Sequence, residues 1–201
     1  MTGAAAVLLA ACAVAAASLA HARLGIGSVR TWLFARPRAS AGAGVRYAFT
    51  TAFLPWAKES ASGHPASYLA GIGYHAGIFV MLACLALSVT PLQAPPLLAN
   101  ALAIVFGVAL AAGLGLLVKR LAQVALRAIS VPDDFVANLL VDAALATALA
   151  AALVPSARFV FQLTGAGLLL YAPLGKLRHM LFLLTSRRLW GAYYGRRGVL
   201  P

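Results

Sequence analysis

The chain has 201 residues, of which 63% are hydrophobic and 10% are charged, whereas a soluble domain is about half apolar and a quarter charged. This composition excludes a soluble enzyme, a disordered chain and a disulfide scaffold. Sixteen basic residues against four acidic ones give a formal net charge of +12. In a membrane protein such an excess is interpreted by its location, because Lys and Arg in short loops set the orientation.

Five apolar stretches have the length that a helix needs to cross a bilayer, roughly 20 residues. Because a segment in lipid must satisfy its own backbone hydrogen bonds, we expect all five to be helical. The predicted spans are about 4–22, 66–89, 97–118, 135–153 and 159–184. The expected fold class is therefore an all-α integral membrane protein with five transmembrane helices in a single domain, residues 1–201.

The first span has the length of a signal peptide, and Ala20-His21-Ala22 offers a small-residue cleavage site. A signal peptide carries its positive charge before the apolar stretch, whereas here Arg23 follows it. We therefore expect a retained transmembrane helix.

The connection 23–63 is the longest in the chain. Its stretches Arg36-Pro37-Arg38 and Ala41-Gly42-Ala43-Gly44 look irregular. The residues from Val45 to Trp56 are expected to form a short amphipathic piece at the membrane interface.

Positive charge lies almost entirely on one side of the predicted spans. Six basic residues lie in the connection 23–63, three lie between the third and fourth spans, and six lie at the C-terminal end. On the opposite side there is only Arg158. The positive-inside rule then predicts an outside N-terminus and a cytoplasmic C-terminus in the cell inner membrane. The charge is a topology signal rather than an indication of nucleic-acid binding.

Ionisable residues at membrane depth are costly and indicate function. His75 lies in the second span and His179 lies near the inner end of the fifth. Gly71 and Gly175 each precede one of these histidines by four residues, so each imidazole is expected to be open on the preceding turn. Two such histidines on different helices suit the axial ligands of a haem. The alternative is that each histidine forms a hydrogen bond across a helix interface.

Lys176 and Arg178 flank His179 at the cytoplasmic boundary. Cations at this level would neutralise the propionates of a haem. The alternative is that they are ordinary topology charges whose side chains extend to the interface.

Acidic residues mark the fourth span. Asp142 follows Asn138 by one helical turn and is a candidate proton acceptor from a quinol; the alternative is a neutral acid bonded to a neighbouring helix. Asp133 and Asp134 favour the positive N-terminus of this helix and are expected to face Arg127.

A candidate quinone site precedes the second span. Trp56, Lys58, Glu59 and His64 bring together an aromatic surface, a hydrogen-bond donor, an acid and an imidazole, which quinone chemistry can use. Pro65 suits the first turn of the span, so His64 lies near the helix cap. The alternative is an interfacial segment with an aromatic belt residue, a solvated ion pair and a helix cap.

Two stretches carry a family resemblance. Tyr74-His75-Ala76-Gly77-Ile78-Phe79 and Pro173-Leu174-Gly175-Lys176-Leu177-Arg178-His179 resemble the respiratory nitrate reductase gamma-subunit family of membrane cytochromes b. Relatives of this family serve heterodisulfide reductases and sulfite-reductase-linked complexes. The resemblance implies electron transfer between membrane quinone and an iron–sulfur subunit docked on the cytoplasmic face.

The resemblance also implies which residues bind haem. The family's cytoplasm-proximal haem is held at the positions of His75 and His179. The ligands of its second haem fall here on Leu85 and Phe161, which cannot bind iron, so one haem b is expected rather than two. The absence of these ligands also puts the family's outer quinol site in doubt. His64 and His21 are the histidines that remain for a second site.

The sequence therefore predicts a haem b subunit that relays electrons between the quinone pool and a cytoplasmic iron–sulfur or flavin oxidoreductase. The chain is not expected to be a complete enzyme, because it has no cysteine cluster or nucleotide-binding loop. The alternative is a haem-free membrane anchor of such a complex. A small transporter is disfavoured, because the polar groups cluster toward the inner side. An acidic surface of the partner is expected to dock on the cytoplasmic arginines Arg30, Arg36, Arg38, Arg187, Arg188, Arg196 and Arg197.

Overall fold

The computed structural model describes residues 3–25, 38–57, 59–91 and 94–200. Within these ranges the regular structure is helical and contains no strand. The α-helices are α1 (Gly3–Gly25), α2 (Ala41–Phe49), α3 (Glu59–Ser62), α4 (Pro65–Leu87), α5 (Pro96–Ala122), α6 (Val124–Ala128), α7 (Pro132–Leu153), α8 (Arg158–Tyr171) and α9 (His179–Arg196). Short 3-10 helices lie at Thr51–Phe53, Pro55–Ala57, Pro155–Ala157 and Lys176–Arg178.

Four helices are long and apolar enough to cross a membrane: α1 over Gly3–Ala22, α4, α5 and α7. They coincide with the first four predicted spans to within a few residues. Three of them begin at a proline, Pro65, Pro96 or Pro132, since the first helical turn does not need the N–H group that proline lacks. The all-helical class and four candidate spans are thus confirmed, whereas the orientation stays a prediction.

The last predicted span, 159–184, is not one helix. It is divided into α8 and α9 by residues 172–178. Pro173 follows the end of α8 by two residues, where a proline cannot continue the hydrogen-bonding pattern of the helix. The sequence had suggested that Gly175 and His179 lie one turn apart on a common helix. In the structure they do not.

The described chain divides into two compact units, of which the first comprises residues 1–17 and 66–177. Its core contains the fully buried side chains of Leu8, Met81, Phe106 and Leu145. Close helix packing depends on a small residue: a Cβ on Gly77 of α4 would overlap the Cβ of Ala109 of α5. Small residues of this kind allow helix backbones to approach closely in membranes.

The second unit comprises residues 18–65 and 178–201, and in it α2 packs along α9. A Cβ on Gly44 would overlap the backbone of Gly191 and Gly195. The stretch 41–44, expected to be irregular, is therefore the start of a helix; Ser40 Oγ caps it by accepting a hydrogen bond from Ala43 N at 3.3 Å. Its glycines reflect close packing rather than a turn.

Candidate functional site

A buried polar cluster joins three membrane helices of the first unit. The Tyr74 hydroxyl of α4 donates to Asp142 Oδ1 at 2.8 Å, and Asn138 Nδ2 donates to Asp142 Oδ2 at 2.7 Å. Only 4% of Asp142 is exposed. Gly113 of α5 faces this cluster, and a Cβ there would overlap both Asp142 Oδ1 and the Tyr74 ring. Asp142 is therefore bonded to a neighbouring helix, which was one of its two expected roles.

His75 follows Tyr74 and is exposed on α4. Its Nδ1 lies 2.8 Å from the carbonyl oxygen of Gly71. Because a carbonyl only accepts, this bond is made when Nδ1 carries the proton. Nε2 then keeps a lone pair, the form in which a neutral histidine binds metals. Among the described residues, apart from the adjacent residues and the backbone of the helix itself, no atom lies within 4 Å of the position that a Cβ would take on Gly71 or Gly73.

The surroundings of His179 differ from those of His75. His179 is the exposed first residue of α9 and belongs to the second unit, whereas His75 belongs to the first. A Cβ on Gly175 would overlap the ring of Tyr171. The open space expected beside Gly175 is therefore occupied by a side chain of the chain itself. The pairing of the two histidines stays a prediction.

An ion cluster lies at the N-terminus of α7. Asp134 Oδ2 accepts from the backbone N–H of Val131 at 3.0 Å and lies 3.4 Å from Arg120 Nη1. Asp134 Oδ1 pairs with Lys176, and Asp133 accepts from the Tyr171 hydroxyl.

The ion cluster bears on two expectations. The N-terminal preference of both acids is confirmed. The cations that contact Asp134 are Arg120 and Lys176, whereas Arg127 Nη1 donates to the carbonyl of Leu121 at 2.6 Å. Lys176 already has a carboxylate partner, so a haem propionate would compete for it. Arg178, its expected companion, is exposed in the 3-10 helix before α9.

The candidate quinone residues lie in the second unit. Trp56 is 73% exposed in the 3-10 helix Pro55–Ala57, and His64 is exposed directly before α4. Glu59 begins α3, and Lys58 lies outside the described residues. The quinone site therefore stays a prediction.

The positions that carry the second haem's ligands in the resembled family are apolar here. Leu85 and Phe161 are buried in the core of the first unit. A Cβ on Gly165 of α8 would overlap the Leu85 side chain. The remaining histidine, His21, is exposed on α1.

Sequence reasoning missed a second polar cluster, on the outer side as the topology predicts it. Arg158 Nε donates to the carbonyl of Ser88 at 2.9 Å, and Nη2 contacts the carbonyls of Ser88 and Thr90. Gln162 Nε2 donates to the same Ser88 carbonyl at 2.7 Å. These residues border a cleft of about 570 Å³. In the sequence, both clusters are indicated by polar residues in an apolar stretch, of which Tyr74 is one.

The donors in the cleft bond to backbone carbonyls at the end of α4, so this cluster holds the polypeptide in place there.

Among the described residues, no group of three or more His, Cys, Asp or Glu side chains is arranged to hold a metal ion. Comparisons with protein families, curated proteins and solved structures found no match for this chain.

Proposed function

We propose that the chain is a membrane subunit that binds haem b and relays electrons between quinone and a cytoplasmic iron–sulfur or flavin oxidoreductase. The observation that carries the proposal is the bonding and exposure of the His75 side chain. A histidine with its Nδ1 bonded to a carbonyl and its ring exposed on a membrane helix leaves Nε2 in apolar surroundings. An unsatisfied polar group costs free energy there, and a bound metal centre would remove that cost.

The surface around His75 fits a flat macrocycle. Gly71, one helical turn before His75, leaves open space beside the imidazole. The bond between Tyr74 and Asp142 ties α4 to α7 and so restrains rotation of α4 about its axis. That restraint orients the next residue, His75. Haem b would supply one-electron redox chemistry, with His75 and, by resemblance, His179 as axial ligands.

A haem-free anchor is the second candidate, and two contacts favour it. The ring of Tyr171 fills the space beside Gly175, and Lys176 pairs with Asp134. Of the two cations proposed for the propionates, Arg178 is the better candidate, because it is exposed and has no acidic partner among the described residues.

Spectroscopy of the purified chain separates the two candidates. The reduced-minus-oxidised spectrum should show a low-spin b-type haem, and pyridine haemochrome analysis should give about one haem per chain. His75→Ala and His179→Ala should each abolish this spectrum, whereas the matched variant His21→Ala should keep it. Full haem content in both single variants would contradict the assignment, and a wild-type chain without haem would favour the anchor.

A further inference from the structure

The helix pair formed by α2 and α9 presents a charged and aromatic surface. We define the α2–α9 pair as residues 38–49 and 178–200. Its contact face is made of small residues: a Cβ on Gly195 would stand 2.8 Å from Gly44 Cα, and one on Gly191 would stand 3.0 Å from Ala48 Cβ. Glycine and alanine occupy this face, and Arg187 of α9 reaches α2, where its Nη1 donates to the Ala48 carbonyl at 2.6 Å.

Positive charge is concentrated in the pair, which carries seven arginines and no acidic residue. Two guanidinium groups stack on aromatic rings: Arg187 lies 3.9 Å from the Phe53 ring centre, and Arg197 lies 3.7 Å from that of Tyr193. Stacking holds an arginine side chain in place without neutralising it. The pair therefore offers fixed cations to an anionic partner.

Apolar and aromatic side chains accompany these cations. Leu183, Trp190 and Tyr194 are 38%, 41% and 36% exposed. Their spacing of seven and four residues places them on one face of α9, and the Trp190 and Tyr194 rings lie 5.7 Å apart. Exposed leucine and tryptophan beside arginine are typical of helices that lie in the headgroup region of a membrane.

We propose that the α2–α9 pair binds acidic phospholipids, with the Leu183–Trp190–Tyr194 face of α9 in the headgroup region of the membrane that α4, α5 and α7 cross. An acidic protein would account for the arginines but would leave the leucine and tryptophan exposed, whereas a lipid surface accounts for both. Only seven residues separate α8 from α9. This proposal does not depend on haem.

The test is fluorescence quenching of Trp190 in the full chain reconstituted into nanodiscs. Trp32→Phe and Trp56→Phe leave Trp190 as the only tryptophan. Dibrominated phosphatidylglycerol in phosphatidylcholine discs is compared with dibrominated phosphatidylcholine in otherwise identical discs. We expect phosphatidylglycerol to be preferred on the order of fivefold at low salt, about the effect of one arginine at an anionic surface, and less at high salt.

Charge variants test the chemical basis of that preference. Arg188→Gln alone should reduce it, and the combination of Arg188→Gln, Arg196→Gln and Arg197→Gln should reduce it further while leaving the glycine contact face intact. Arg127→Gln, a cytoplasmic-side cation of α6, should change nothing. Equal quenching by both lipids in the unmodified pair would overturn the proposal. So would the absence of quenching by either lipid, which would instead indicate a face covered by protein.

Discussion

Asp142 accepts one hydrogen bond on each carboxyl oxygen, and Tyr74 supplies one of the two donors. Tyr74→Phe removes that donor and leaves a buried carboxyl oxygen unpaired, so we expect a loss of about 1–2 kcal/mol in the free energy of unfolding. Thermal or denaturant unfolding in detergent measures it. Tyr47→Phe, which removes a hydroxyl outside this cluster, is the matched control. Equal stabilities of the two variants would contradict the importance of the bond.

Gly113 offers a sharper comparison, because Gly115 lies two residues further along α5. A methyl group on Gly113 would overlap Asp142 and the Tyr74 ring, whereas the same position on Gly115 is open. We expect Gly113→Ala to destabilise the chain by about 1–3 kcal/mol and Gly115→Ala to be neutral or stabilising, since alanine is the better helix former. The measurement is the free energy of unfolding of the two variants under identical conditions. If Gly113→Ala proved as stable as Gly115→Ala, the close approach of α5 would be wrong.

Of these residue-scale features, some could be predicted from the sequence and others could not. Asp142 and His75 could be found from the sequence, because ionisable groups are rare in apolar stretches. The bond to Tyr74 and the approach of Gly113 could not, because they depend on how α4, α5 and α7 are rotated against one another. Hydropathy contains no information about that rotation.

At the scale of elements, the α2–α9 pair depends on glycine. Gly191→Leu would force α2 and α9 apart, because the side chain would enter the space held by Gly44 and Ala48. We expect amide hydrogen exchange across α9 to accelerate by at least about tenfold, the effect of roughly 1.4 kcal/mol. Gly42→Leu is the control, since its nearest neighbour would be Ser40 Oγ at 3.6 Å. Unchanged protection in Gly191→Leu would contradict the packing.

This packing also affects how partner docking should be tested. Truncation after Thr185 would remove Gly191 and Gly195 together with the arginines, and so would confound loss of charge with loss of the helix pair. Charge substitution at Arg38, which is exposed before α2, separates the two. We expect Arg38→Glu to slow association with an acidic partner several-fold at low salt and much less at high salt, measured by association kinetics. Insensitivity to both charge and salt would remove Arg38 from the docking surface.

The four long helices could be predicted from length and apolar content, and three of them begin at a proline. The division at residues 172–178 was missed because an apolar window averages over Pro173, although a single proline is enough to end a helix. Likewise Ala41-Gly42-Ala43-Gly44 has poor helix propensity, and it is helical because α9 packs against it. There the local conformational preference disfavours a helix, and tertiary packing against α9 outweighs it.

At the scale of the whole molecule, quinone should act near residues 56–64 if the chain relays electrons. His64→Ala and Lys58→Ala should then slow reduction of the haem by a quinol on the order of 100-fold, since each removes a candidate proton-transfer or hydrogen-bonding group. Stopped-flow absorbance on reconstituted protein with unchanged haem content measures this, with His21→Ala as control. Normal rates in both variants would exclude this segment and make Asp142 the leading candidate for proton transfer.

The contacts made by Arg158 have a consequence for the balance of charge at the two helix ends that they join. A cation in the first turn of α8 is repelled by the positive end of that helix's own dipole. The same guanidinium donates to the carbonyls of Ser88 and Thr90, which follow the negative end of α4. One side chain therefore links the positive end of α8 to the negative end of α4, where carbonyl oxygens lower the cost of placing a cation beside the α8 dipole. Lysine would not substitute for it, because a single ammonium cannot present several donors in a fixed plane to carbonyls at different depths.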